Sequence, residues 1–139
     1  MIEYRDSAAG IHDRNLDGPF FVGWPSRPSP ETHLRLLINS DLVSLALETD
    51  TGQVVGFATA MTDAVLSAFI PLLEVTPGRR GEGIGSELVR RLLAQLQPIY
   101  AVDIVCDPAL HPFYERLGFA QQATAVSLRN YELQHGRRA

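Results

Sequence analysis

Residues 80–85 read Arg80-Gly81-Glu82-Gly83-Ile84-Gly85, between two segments of different period. Before them runs Ile70-Pro71-Leu72-Leu73-Glu74-Val75, short, apolar and strand-like. After them Ile84, Leu88, Val89, Leu92, Leu93 and Leu96 recur at helical spacing, with Glu87 and Arg91 four apart on the opposite side. A strand that passes through a basic glycine turn straight into a helix commits the chain to layers of helix on sheet. It also points to chemistry. Glycine lets the backbone approach a ligand closely, and the unpaired N–H groups of a first helical turn favour an anion. Gly83 and Gly85 would cost about 1 kcal/mol each in a helix start that had no such role. A phosphate-bearing ligand is therefore expected here.

The chain has 139 residues, which fits one domain over residues 1–139 and a real core. Its net charge of −4 argues against a nucleic-acid partner, which needs a basic face, but leaves room for a local anion site. Cys106 is the only cysteine, so neither an intramolecular disulfide nor a cysteine-based zinc site can form, and no metal site is expected. No apolar run reaches the roughly 18 residues of a membrane span. Met1–Asp6 lacks the basic and apolar regions of a secretory leader. The expectation is a cytoplasmic protein with no membrane partner.

Local signals divide the rest. Residues 2–6 suit a first strand. The prolines at 19, 25, 28 and 30 forbid a long helix and leave a turn near 10–16, then an aromatic loop with Phe20, Phe21 and Trp24. Ser29-Pro30 starts a helix to about 39. Strands follow at 41–48 and 54–61, joined by Thr49-Asp50-Thr51-Gly52, and then at 66–75. The last has apolar residues on both faces, as a covered central strand should, and Pro71 predicts a bulge or splay in it. Residues 101–106 suit a short strand, Asp107-Pro108 opens a final helix and Gly118 ends it. Residues 119–122 and 125–130 read as two closing strands, and 135–139 as a frayed basic tail. Strands and helices interleave, so the class is mixed α/β.

Three glycine devices compete for residues 80–85. The P-loop string G-x-x-x-x-G-K-[ST] is absent. The dinucleotide register G-x-G-x-x-G fails because Ser86 stands at the third glycine, so Asp103, twenty residues after Gly83, counts as chance. The pattern Q/R-x-x-G-x-G/A fits. It resembles the acyl-CoA pyrophosphate loop of the GNAT superfamily of N-acyltransferases. Leu73-Glu74-Val75-Thr76-Pro77 before it, and Asp107 to Phe119 with its Tyr114-x-x-x-Gly118-Phe119 ending, resemble that superfamily's other signatures in the right order. The resemblance covers about residues 42–120. It implies a mostly antiparallel sheet splayed at its central strands, with helices on both faces, and acetyl-CoA as acyl donor.

The resemblance also implies roles. Backbone N–H groups of Gly81, Glu82, Gly83, Ile84, Gly85 and Ser86 would hold the pyrophosphate, with charge from Arg80 and with Arg79 reaching the 3′-phosphate. Leu73 and Val75 would offer backbone groups to the pantetheine arm. Tyr114 is the expected general acid toward the leaving thiolate. Glu74 is the candidate general base, directly or through water, placed by alternation on the face of Leu72 and Ile70. Asp107 stands where the superfamily often has asparagine near the pantetheine, and helix capping is its other reading. His111 could line the acceptor site or be solvated, and Cys106 could approach the thioester or be an inert strand residue. Phe20, Phe21 and Trp24 could wall the acceptor pocket or form a satellite core. Glu74, Asp63, Glu48 and Asp107 could make an acidic site for a small cationic amine. The expected activity is direct acetyl transfer to a primary amine of a small molecule or peptide. The rival is a non-catalytic acyl-CoA-binding sensor, and a homodimer is left open.

Overall fold

The structure is a computed structural model that describes residues 1–122 and 124–137. Five strands, β1 (Ile2–Arg5), β2 (Leu42–Glu48), β3 (Val54–Thr62), β4 (Ser67–Val75) and β5 (Ala101–Ile104), form one sheet in sequence order. The first four pair antiparallel and β5 joins β4 in parallel. The helices are α1 (Pro30–Asn39), α2 (Ile84–Gln95) and the short α3 (His111–Glu115).

α1 begins as its sequence dictates. Ser29 Oγ accepts the Thr32 N–H at 3.1 Å and Pro30 fills the first position. It buries His33 and Leu37 on one face of the sheet, in a cluster that includes Phe20, Phe21, Leu45 and Phe57. α2 covers the other face, where Ile84, Leu88 and Leu92 pack with Ala58, Ala60 and Ile70. Contact is tightest at Gly56: a Cβ there would lie 3.0 Å from Leu88 Cδ1 and 3.2 Å from Ile84 Cγ2.

The expected irregularity at Pro71 is present and has two consequences. Thr59 opposes Leu72 and Met61 opposes Phe69, so Ile70 and Pro71 together face Ala60. One extra residue in β4 reverses its side-chain alternation. Ile70 packs on the α2 side, whereas Leu72 packs on the α1 side. Glu74 therefore shares a face with Leu72 but not with Ile70, which corrects the alternation assumed from sequence. The second consequence is a splay. β4–β5 pairing ends at Ile70 and Ile104, and residues 71–75 run on without a β5 partner.

Other differences have local causes. β5 stops at Ile104 rather than 106, where its neighbour diverges. The final helix is a 3₁₀ turn, Pro108–Leu110, followed by α3, because Pro112 has no N–H to carry one helix through. β4 is covered at Ala68 and Ile70, but Phe69 is 40% exposed, so one face of this strand is open. The two closing strands do not form among the described residues. Residues 119–122 and 124–130 carry no ladder bonds, and Val126 and Leu128 stand exposed. Ala123 and the last two residues of the tail expected at 135–139 lie outside the described residues. No described helix is long and apolar enough to cross a membrane.

Candidate active site

The glycine turn leaves its donors free. A 3₁₀ turn at Pro77–Arg79 leads into it, and Gly81 and Gly83 both take φ near +81°, the left-handed region that suits glycine. Gly83 caps α2, and the first helical bond runs from Glu87 N–H to Gly83 C=O at 3.1 Å. Among the described residues, the backbone N–H groups of 81–86 donate to no protein acceptor. Six donors at the start of a three-turn helix form an anion cradle.

A second unpartnered stretch of backbone lies beside it. Thr76 N–H donates to Val55 C=O at 2.8 Å, and bonded pairs alternate along an antiparallel ladder. With the observed register, Glu74 and Leu72 bond to β3, so Leu73 and Val75 turn their backbone groups toward the gap left by β5. Their side chains join the α2-side core. Arg80 Nε donates to Val75 C=O at 3.1 Å, tying the turn to the end of β4. The gap thus offers strand-like donors and acceptors that lead to the anion cradle.

Tyr114 lies on α3, 7% exposed, edge-on to Phe113 and Phe119. Burial first, and then the nearby Cys106 thiol, push its phenol up to about 12. Glu74 is half-buried at the end of β4. Burial raises its carboxyl above the ordinary glutamate value, against the opposing effects of the Phe21 N–H and the Arg80 and Arg27 charges. Its Oε1 accepts the Phe21 N–H at 2.8 Å. Glu74 thereby accepts a proton more readily than a free glutamate, and Tyr114 stays protonated at neutral pH.

Several expected residues are engaged elsewhere. Arg79 pairs with Glu48 at 2.8 Å and Glu82 at 3.3 Å, so reaching a phosphate requires breaking both contacts. Glu48 also holds the N-terminal ammonium at 2.9 Å, and Arg79 and that ammonium lower its carboxyl to about 2. Asp63 Oδ1 accepts three backbone N–H groups of its own turn, from Val65, Leu66 and Ser67. Asp107 caps the 3₁₀ turn through the Ala109 N–H at 2.8 Å. Each of the four carboxylates expected of an acidic site thus has a partner of its own, Glu74 in the Phe21 N–H. His111, the first residue of α3, and Cys106, before the 3₁₀ turn, are half-buried, and burial raises the Cys106 thiol. Among the described residues no cluster of His, Cys, Asp and Glu is arranged to hold a metal ion.

Arg27 is the residue that pattern reading misses. Its Nη2 and Nε donate to Phe20 C=O at 2.8 and 3.2 Å. That carbonyl and the Phe21 N–H held by Glu74 belong to one peptide group. The aromatic loop is thus gripped from both sides at the point where Phe21 takes φ +59°. A lone arginine between prolines in an aromatic segment was the available signal. Phe20 and Phe21 are core, whereas Trp24 is half-buried with its ring 5.0 Å from that of Phe21.

Known proteins share this fold. A crystallised chain from Deinococcus radiodurans R1, assigned to the acetyltransferases, is 46% identical with TM-score 0.94, covering 99% of this chain and 94% of its own. The uncharacterised N-acetyltransferase ycf52 of Pyropia yezoensis is 31% identical over 76% of this chain and 62% of itself. Serotonin N-acetyltransferase 2 of rice (Oryza sativa subsp. japonica) is 32% identical over 88% of this chain and 63% of itself. The chain thus spans about three-fifths of the length of these curated relatives. The pattern of the acetyltransferase (GNAT) family matches residues 13–119. A match over that much of the chain, on a sheet that opens beside a free glycine turn, makes this protein a member of the GNAT acetyltransferase family.

Proposed function

We propose that the chain transfers an acyl group, most simply acetyl, from coenzyme A to a primary amine. The observation that carries this reading is the opening of β4 from β5 beyond Ile70 and Ile104, on the strand that leads into the turn whose residues 81–86 keep free N–H groups. The pantetheine arm would pair with the backbone of Leu73 and Val75, and the pyrophosphate would sit on the glycine turn with Arg80 beside it. The rice relative supports an amine acceptor, since serotonin, the substrate in its name, is a primary amine.

In this reading Glu74 takes the ammonium proton and the amine nitrogen bonds to the thioester carbon. Backbone N–H groups at the gap stabilise the oxygen as charge builds on it. The C–S bond then breaks, Tyr114 gives its proton to the departing thiolate, and the remaining extra proton on nitrogen returns to the Tyr114 phenolate as the amide forms. Burial of Glu74 suits its role, because it raises the proton affinity of the base, and burial keeps the Tyr114 phenol protonated until the thiolate leaves.

Thiol release from acetyl-CoA against a panel of amines tests the proposal. Release that depends on an added amine is expected. CoA binding without release by any amine would instead leave a sensing module.

A further inference from the structure

Resting on the reading of Glu74 as the base, we propose that Arg27 is its positioning residue. Arg27 acts through the Phe20–Phe21 peptide group, which holds one Glu74 oxygen in place and leaves the other to take the ammonium proton.

The three groups form a chain of hydrogen bonds. Arg27 Nη2 and Nε donate to Phe20 C=O, and the N–H of the same peptide donates to Glu74 Oε1 at 2.8 Å. A peptide group is planar and stiff, so a cation fixed on its oxygen fixes and polarises its N–H. The conformation of Phe21 shows that something must hold this peptide. Its φ of +59° is unfavourable for a residue with a bulky side chain. Turning the peptide over would carry φ to the negative side and relieve the strain. It would also take the N–H off Glu74 and the C=O off Arg27. The rings on either side cannot follow, because Phe20 and Phe21 are both buried and pack edge-on to Phe57. A strained backbone of this kind persists only where its surroundings hold it. Here the holding groups are a guanidinium on one side and the candidate base on the other.

The indirect route suits a base. Arg27 and Arg80 are the charges that act on Glu74, yet both spend donors on backbone carbonyls, of Phe20 and of Val75. Among the described residues neither pairs with the carboxylate, and Oε2 accepts no hydrogen bond. A direct ion pair would favour the carboxylate so strongly that it became a poor proton acceptor. Through the peptide, Arg27 orients the carboxylate without capturing it. The other neighbours add no charge. Glu74 opposes Phe57 on β3, and β5 has already left its other side. His33 of α1 packs on Phe20 and Phe21 and is the titratable group behind the loop. Arg27 itself is exposed, so replacing it leaves the core intact.

The test is Arg27→Met, which keeps a long side chain and removes both charge and donors. NMR follows the Glu74 carboxyl carbon and the Phe21 amide proton from acid to neutral pH, so that His33 titration is not mistaken for that of Glu74. In the wild-type protein the Phe21 amide proton should move with Glu74 ionisation. In the variant that coupling should be lost and the Glu74 titration should move to higher pH, because the ionised form has lost a hydrogen bond and a nearby charge. In the thiol-release assay kcat should fall about tenfold, with its acid limb moved the same way and CoA affinity unchanged. Arg27→Gln reads the same link if the first variant does not fold. A Phe21 amide that still follows Glu74 in the variant overturns the inference, since Arg27 would then act by charge alone or not at all. Lost coupling with unchanged kcat overturns it too. If Glu74→Gln leaves transfer intact, or no amine is acetylated, the reading of Glu74 as base fails instead, and the two NMR titrations alone decide whether Arg27 positions Glu74.

Discussion

Tyr114 and Glu74 differ from their free counterparts in the same direction and for the same reason, withdrawal from water. Replacing Tyr114 by Phe keeps its ring contacts with Phe113 and Phe119 and removes the proton donor. The expected loss is about a hundredfold in kcat or more, with CoA affinity unchanged by calorimetry. Intact turnover would remove Tyr114 from the chemistry. Because burial raises the Glu74 carboxyl, activity should fall with falling pH through a value above the ordinary 4.5, and Glu74→Gln should abolish that acid limb. His33 makes a separate, structural prediction. It is 1% exposed among Phe20, Phe21 and Phe57, its Nε2 has no partner among the described residues, and burial lowers it from 6.5 to about 4. The folded state therefore prefers neutral imidazole. Stability is full above pH 6.5 and declines as pH falls toward 4, by up to about 3 kcal/mol at 1.36 kcal/mol per pH unit. Urea midpoints at pH 7.5 and 5 measure it, and His33→Leu should flatten the difference.

At the scale of elements, α2 and β4 position the site together, and Gly56 sets the distance between them. In Gly56→Ala the new methyl meets Leu88 Cδ1 at 3.0 Å and Glu74 C=O at 3.3 Å, with the backbone carbonyl unable to yield as a side chain can. The expected cost is about 1–3 kcal/mol, together with weaker CoA binding, because α2 carries the glycine turn. Unchanged urea stability and CoA affinity would show that helix and sheet tolerate separation. These elements also show what sequence can reveal. The Ser29-Pro30 cap, the apolar stripe of α2 and the glycine turn are local signals, each contained within about a dozen residues. The parity of Glu74 is not, because it depends on how many β4 residues oppose Ala60, a fact of pairing with β3. Arg79 looked like a phosphate ligand because Glu48, its partner, lies 31 positions away in sequence. The closing strands were suggested by residues of high strand propensity, yet Val126 and Leu128 have no ladder to join in this chain.

Across the molecule, the open edge of β4 at Leu73 and Val75 and the free N–H groups of residues 81–86 form two neighbouring sets of backbone donors, and the proposed transfer depends on a ligand that spans both. An order of residues that places strand, bulge, turn and helix in sequence is enough to build both, although the family pattern reaches further, over residues 13–119. The first 40 residues instead supply the gripped aromatic loop beside Glu74. The most direct measurement is calorimetric titration of CoA into the wild-type protein and into Gly83→Ala, whose φ of +81° a Cβ strains. Saturable binding at one CoA per chain, weakened about tenfold or more in the variant, is expected. No binding by a folded wild-type chain, or equal affinity in both, would contradict a cofactor cradle at residues 81–86.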